Sequence, residues 1–173
     1  MDMMKALVYD RPGSCSIKDL PMPICGEADV IIKVMAASIC KGADRRHHTT
    51  GHKLGRYPVT TGHEFAGYVH QVGSEVKIWK PGDRVTADNA VPCGKCYFCQ
   101  REMYSHCLNF QSVGHSIPGG FAQYVKVKDN SVFRIPDEIP FNEACMTEPV
   151  ACCIHAIDRL DVKYGENVLV FGA

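Results

Sequence analysis

The sequence predicts a mainly β protein with a few short helices, a barrel or sandwich of short strands rather than a succession of βαβ units. Three observations carry this. Ahead of Pro140 the chain breaks into short runs rich in Val, Ile, Tyr and Phe. Gly/Pro clusters separate those runs, and apolar residues at helical spacing emerge only after Pro140.

Taken in order, strands are expected at residues 4–9, 29–39, 67–72, 84–87, 121–127 and 132–135. Pro12-Gly13, Pro81-Gly82-Asp83 and Pro118-Gly119-Gly120 mark turns between them. After Pro140, Asn142 is placed to cap a short helix running to Met146. Pro149 suits the first turn of a second helix, along which Val150, Ile154 and Ile157 fall on one face. Gly165 ends that helix, and the apolar run 167–171 (N-V-L-V-F) is of the buried parallel-strand kind. Gly172 and Ala173 follow. A helix, a buried strand and a glycine is how a dinucleotide-binding unit begins.

Composition narrows the function classes. With 173 residues, 46% of them hydrophobic, the chain suits one domain with an appended element. Lys+Arg and Asp+Glu are both 19, so no net field favours nucleic acid or an acidic membrane surface. Residues 1–9 have too short an apolar stretch for a signal peptide, and the apolar run 30–40 is interrupted by Lys33 and too short to span a bilayer. Ten cysteines without a secretion signal point to a reducing, cytoplasmic setting.

Cys93, Cys96, Cys99 and Cys107 stand in the order C-x2-C-x2-C-x7-C. Four thiols this close are the spacing of a tetrahedral zinc site, and a closed four-sulfur shell is structural because it leaves no open position. Two disulfides would need an oxidising compartment. An iron–sulfur cluster fits less well, since the last gap is long and Leu108, not proline, follows the last cysteine.

Other ligand-capable residues are scattered. Cys40 follows a predicted strand; Gly62-His63-Glu64 opens the string G-H-E-x2-G-x5-G; Glu148 precedes Pro149. Each alone has a plain reading: Cys40 as buried filler, His63 as a hydrogen-bonded structural histidine, Glu148 as an anion at a helix N-terminus. Their force comes from occurring together with the four-cysteine lobe.

Cys40, G-H-E-x2-G-x5-G, P-G-D-R-V (residues 81–85), the lobe at 91–109 and G-G-F-A-Q-Y-V (residues 119–125) occur in one order. In that order they resemble the zinc-dependent medium-chain alcohol dehydrogenases, over essentially the whole chain. The resemblance implies a GroES-like, partly open β-barrel over residues 1–148, followed at 149–173 by the first helix and strand of a Rossmann domain. It implies a catalytic zinc at Cys40 and His63, with Glu64 as a direct or more distant ligand, and Asp44 orienting the histidine. Where ethanol-type enzymes place a second cysteine, this chain has Glu148-Pro149, which resembles the sorbitol (polyol) dehydrogenase branch and implies that Glu148 lies at the catalytic zinc directly or through water. A carboxylate there makes a harder site suited to a substrate with two adjacent oxygens. Cys145, Cys152 and Cys153 read as small helix-packed residues instead.

One departure stands out. The family's C-x-S/T-D becomes Cys40-Lys41-Gly42-Ala43-Asp44, one residue longer and without the hydroxyl that begins the proton relay. The relay then starts elsewhere, with Glu148 as base and His47 and His48 as outer members. The basic segment 45–56 around those histidines otherwise reads as a solvated flap.

For the complete enzyme the resemblance implies two zinc ions per chain, NAD or NADP, and oxidation of a small alcohol or polyol to a ketone. It also implies a homo-oligomer, with neither nucleic acid nor membrane as partner. Gly172 would be the first glycine of the cofactor turn. With no more of that turn than this, the chain alone is expected to bind zinc without dehydrogenase turnover. A threonine-dehydrogenase-like or other secondary-alcohol substrate is the neighbouring expectation. A zinc-binding, redox-sensing module and a GroES-like domain without catalysis are the readings of another class.

Overall fold

The computed structural model describes residues 2–172. β1 (Met3–Arg11) and β2 (Ser14–Pro21) form an antiparallel hairpin, in register from Met3 opposite Pro21 to Tyr9 opposite Cys15. Met4, Ala6 and Val8 point inward at the period of two that a half-buried strand requires. β3 (Asp29–Ser38) follows, then the two-residue β4 (Val59–Thr60), which pairs with Val8 and Tyr9 on the other edge of β1. β5 (Glu64–Val72), β6 (Arg84–Ala87), β9 (Tyr124–Lys128) and β10 (Val132–Arg134) complete a five-stranded antiparallel sheet of order β10-β6-β5-β3-β9. Between β6 and β9, the two-residue strands β7 (Ala90–Val91) and β8 (Gln111–Ser112) pair and bring the two ends of the cysteine lobe together.

The two larger sheets join on one side only. Leu7 N donates to Phe121 O at 2.8 Å and Gln123 N to Lys5 O at 3.0 Å, so β1 runs into the segment that leads to β9. The result is a partly open barrel. Its interior is filled by β-branched residues and one aromatic: Val30, Ile32, Phe65, Val69, Val85 and Val125. Valine and isoleucine pack well on the pleated faces that meet here.

Register decides where the chemistry sits. The β3–β5 pairing is irregular between Val34 and Ala36, and after that irregularity Ser38 stands opposite Glu64. An extra residue in one strand turns the side chains beyond it. The end of β3, leading to Cys40, therefore lies alongside the start of β5 at His63 and Glu64.

Among the described residues there are three α-helices: α1 (Ala43–His48), α2 (Phe141–Ala144) and α3 (Thr147–Leu160). Asn142 does not cap α2. Pro140 holds the N-cap position in an extended conformation with no side-chain cap, and its carbonyl takes the N–H groups of Glu143 and Ala144, which places Asn142 inside the first turn. α3 starts at Thr147, so Glu148 and Pro149 both lie in its first turn. Its apolar face has no partner: Val150, Ile154 and Ile157 are 51, 53 and 61% exposed. The run 167–171 forms no strand, and Val168 to Phe171 are all exposed. A parallel strand of this type exists only between neighbours that bond to both its edges, and the described residues supply none. Ala173 lies outside the described residues.

The packing makes a clear demand on Phe65, which is 1% exposed, against Phe133, which is 54% exposed on β10. Phe65→Ala should cost about 3–5 kcal/mol in urea unfolding, whereas Phe133→Ala should change stability by less than about 0.5 kcal/mol. Equal effects would mean that the interior is not where the structure places it.

Candidate metal centres

The lobe gathers its four thiols without help from the barrel. Cys96 Sγ lies 3.5 Å from Cys99 Sγ and 4.0 Å from Cys107 Sγ, and Cys93 Sγ lies 4.0 Å from Cys99 Sγ. The edges of a tetrahedron with zinc–sulfur bonds of about 2.3 Å are about 3.8 Å long, so the thiols already sit at ligand separations. These separations are far from a disulfide bond, and all four cysteines are free. The local backbone prepares them. The N–H groups of Cys99 and Leu108 point at the Cys96 sulfur and bring its thiol down to about 6, while Cys93 N donates to Cys107 Sγ at 3.2 Å.

The second cluster is assembled from two places in the sequence. Cys40, His63 and Glu64 each offer a ligand atom, and the three atoms lie within 4.8 Å of one another. His63 Nε2 is 4.0 Å from Glu64 Oε1, and both side chains are buried. Ser38 Oγ donates to Glu64 Oε2 and fixes that carboxylate across the strand pair. Asp44 acts on Cys40. Its Oδ2 accepts from Cys40 N at 2.9 Å, Asp44 N donates to Cys40 O at 3.0 Å, and Ala43 N donates to Cys40 Sγ at 3.4 Å. The extra residue in C-K-G-A-D is absorbed in this closed turn. Burial pushes the Asp44 carboxyl up, against the Cys40 N–H that favours its ionised form.

Two buried atoms here have no partner, His63 Nδ1 and Asp44 Oδ1. The expected hydrogen bond between Asp44 and His63 is therefore not formed, and Asp44 braces the Cys40 turn instead. A half-buried thiol converging with a buried imidazole and a buried carboxylate is a donor set that suits zinc, and three ligands leave a fourth tetrahedral position.

Glu148 is not part of that cluster. It lies on the first turn of α3, lining a cleft of about 520 Å³ with Thr86, Asp88, Cys152 and His155. Burial raises its carboxyl, an effect partly opposed by His63. Cys145 is buried beside Ala66 and Ile135, as a packed small residue should be. Cys152 and Cys153 are exposed instead, and Cys152 Sγ points at Glu148 Oε1 at 3.6 Å. Gly172 has a positive φ of 79°, in keeping with a glycine turn, and touches nothing.

The segment around His47 differs from a solvated flap. On α1, Asp44 and His47 are three residues apart and share the inward face, while Arg45, Arg46 and His48 face out. His47 is 0% exposed. Its Nδ1 lies 2.8 Å from Tyr57 Oη, and its Nε2 lies 2.9 Å from Nδ1 of His115. His52 stacks on His115 with ring centres 4.2 Å apart, and the His115 ring is 4.6 Å from that of His63. Burial lowers all three, His47 to about 4 and His115 to about 3. The sequence carried one signal of this layer, three histidines at positions 47, 48 and 52. Nothing in it ties His115 to them.

The lobe gives a pH test. In metal-free chain, alkylation of Cys96 by iodoacetamide should switch on through about pH 6 rather than near the ordinary thiol value of 9.0, because the lowered pKa fills the thiolate form earlier. Peptide mass spectrometry reads it, and added zinc should protect. A midpoint at the ordinary value would contradict the backbone arrangement.

Comparison with known proteins agrees with this architecture. Residues 26–137 match the model of the alcohol dehydrogenase GroES-like domain. Sorbitol dehydrogenase of Bacillus subtilis is 37% identical over 98% of this chain and 49% of its own length. L-threonine 3-dehydrogenase of Anaeromyxobacter is 38% identical over 98% of this chain and 50% of its own. A candidate zinc-binding dehydrogenase of Sinorhizobium meliloti, solved bound to NADP, superposes with a TM-score of 0.91 at 36% identity, covering 96% of this chain and 48% of that one. The chain thus spans about half the length of the curated relatives it matches. No helix among the described residues is long and apolar enough to cross a membrane. With its partly open barrel, its lobe and its Cys40–His63–Glu64 cluster, the chain belongs to the alcohol dehydrogenase GroES-like domain family.

Proposed function

We propose that this chain is the metal-binding half of a zinc-dependent, NAD(P)-linked dehydrogenase that oxidises a polyol to a ketone. Residues 1–148 form the catalytic domain, and residues 149–173 begin the cofactor-binding one. The observation that carries the reading is the convergence of Cys40, His63 and Glu64 beside a closed four-thiol lobe. A structural zinc module needs only the lobe.

Cys40, His63 and Glu64 would hold the catalytic zinc, and Cys93, Cys96, Cys99 and Cys107 the structural one. Zinc in the first site would supply an electrophile that acidifies a bound hydroxyl, as it brings water to about pKa 7. The chain's own groups do the rest. Ser38 keeps Glu64 aimed inward, and the Asp44 turn keeps the Cys40 sulfur in place. Glu148, its carboxyl raised by burial, is poised to take up a proton at the rim of the cleft. It does this without the hydroxyl that Ala43 lacks. Gly172 would open the turn against which NAD(P) binds.

The sorbitol dehydrogenase relative and the carboxylate at position 148 favour a polyol. The threonine dehydrogenase relative keeps an amino alcohol as the second reading. The cytoplasm is the compartment that keeps such thiols reduced. A homo-oligomer formed through the remaining half is the expected assembly.

Elemental analysis of freshly purified chain tests the site assignment. Two zinc ions per chain, falling to one in Cys40→Ser, is the expected result. One zinc in both proteins would leave the lobe alone and favour a non-catalytic module.

A further inference from the structure

The histidine layer beside the cluster has a favoured hydrogen-bond direction. The backbone N–H of His52 donates to Tyr57 Oη at 3.3 Å, which occupies an acceptor site there and favours donation of the tyrosine's own hydrogen to Nδ1 of His47, 2.8 Å away. A neutral His47 then carries its proton on Nε2 and donates to Nδ1 of His115, 2.9 Å away. That places the His115 proton on Nε2. His52 is set in the same way, because the backbone N–H of Leu54 donates to its Nδ1 at 3.2 Å. One backbone donor thus fixes the His52 tautomer, and a second favours the matching tautomers of His47 and His115.

The outcome is a pair of Nε2–H donors on rings stacked 4.2 Å apart, one of them packed against the ring of His63. Among the described residues no protein atom accepts from either Nε2, and neither atom is among those sealed from solvent without a partner. An imidazole N–H with no protein acceptor is a donor of the kind that a hydroxyl oxygen takes up.

We infer that His52 and His115 form a paired-donor subsite that holds hydroxyl oxygens of a polyol beside the Cys40–His63–Glu64 cluster, and so selects polyhydric over monohydric alcohols. The inference rests on the dehydrogenase reading above and adds the specificity-determining residues. His47 and Tyr57 act on the ligand only through the tautomers they impose, which makes them positioning residues.

Cobalt-loaded chain titrated with sorbitol and with 2-propanol, read by the visible absorption of the metal, tests this. His115→Ala and His52→Ala should each raise the sorbitol half-saturation about tenfold more than that of 2-propanol. His52→Gln, which keeps a donor, should recover most of the difference. Equal effects on the two alcohols, or none, would overturn the inference. Should His115→Ala fail to fold, nitrogen-detected NMR of the unaltered chain decides. Nε2–H tautomers at His52 and His115, with resonances that move on adding sorbitol, support the subsite. Nδ1–H tautomers, or the same resonances moving with inorganic phosphate and not with sorbitol, overturn it. If neither alcohol perturbs the metal in unaltered chain, the dehydrogenase reading fails and this inference with it. If sorbitol does so equally with and without the two histidines, only the subsite fails.

Discussion

The approach of His115 to His63 depends on one backbone contact. The carbonyl of Gly62 accepts from Gly120 N at 2.7 Å, and Gly62 itself takes a φ of +92°. A Cβ on Gly62 would fall 2.6 Å from Phe121, while Cβ atoms on Gly114 and Gly119 would fall 2.5 and 2.2 Å from the Gly62 carbonyl. Backbone cannot move aside as a flexible side chain can, so three glycines are the condition for these segments to touch. The contact sets His63, the residue after Gly62, at the mouth of β5, and it sets His115, the residue after Gly114, against it. Both histidines are placed by the same close approach.

The two candidate metal centres are built on opposite principles. The lobe is local: fifteen residues, from Cys93 to Cys107, carry all four sulfurs, and short turns with their own N–H groups hold the thiols at ligand spacing. Such a site closes on itself and has no room for chemistry. The Cys40–His63–Glu64 cluster is non-local and depends on the β3–β5 register, on Ser38 opposite Glu64, and on the turn that Asp44 closes. It is correspondingly sensitive to the barrel.

This division explains what the sequence made legible. Strands β3, β5, β6 and β10 announced themselves because their inward residues are Val, Ile and Phe, and the lobe announced itself because its ligands are near neighbours in the chain. β2 was missed because Ser14 to Pro21 faces solvent along much of its length and lacks an apolar alternation. The run 167–171 misled in the other direction: its composition describes a strand between neighbours that the described residues do not include. The burial of His47 was hidden because charged residues surround it, and only the three-residue spacing from Asp44 on α1 turns it inward. His115 had no signal at all, since a glycine contact brings it to the site.

The central claim is that one chain carries two metal sites of different chemistry. Zinc-edge X-ray absorption on fully loaded chain tests it most directly. One four-sulfur site and one single-sulfur site average to about 2.5 sulfur neighbours per zinc, with nitrogen or oxygen making up the rest. That mixed shell is the predicted result. A shell of four sulfurs around all the bound zinc would contradict the account, because the Cys40–His63–Glu64 cluster would then hold none.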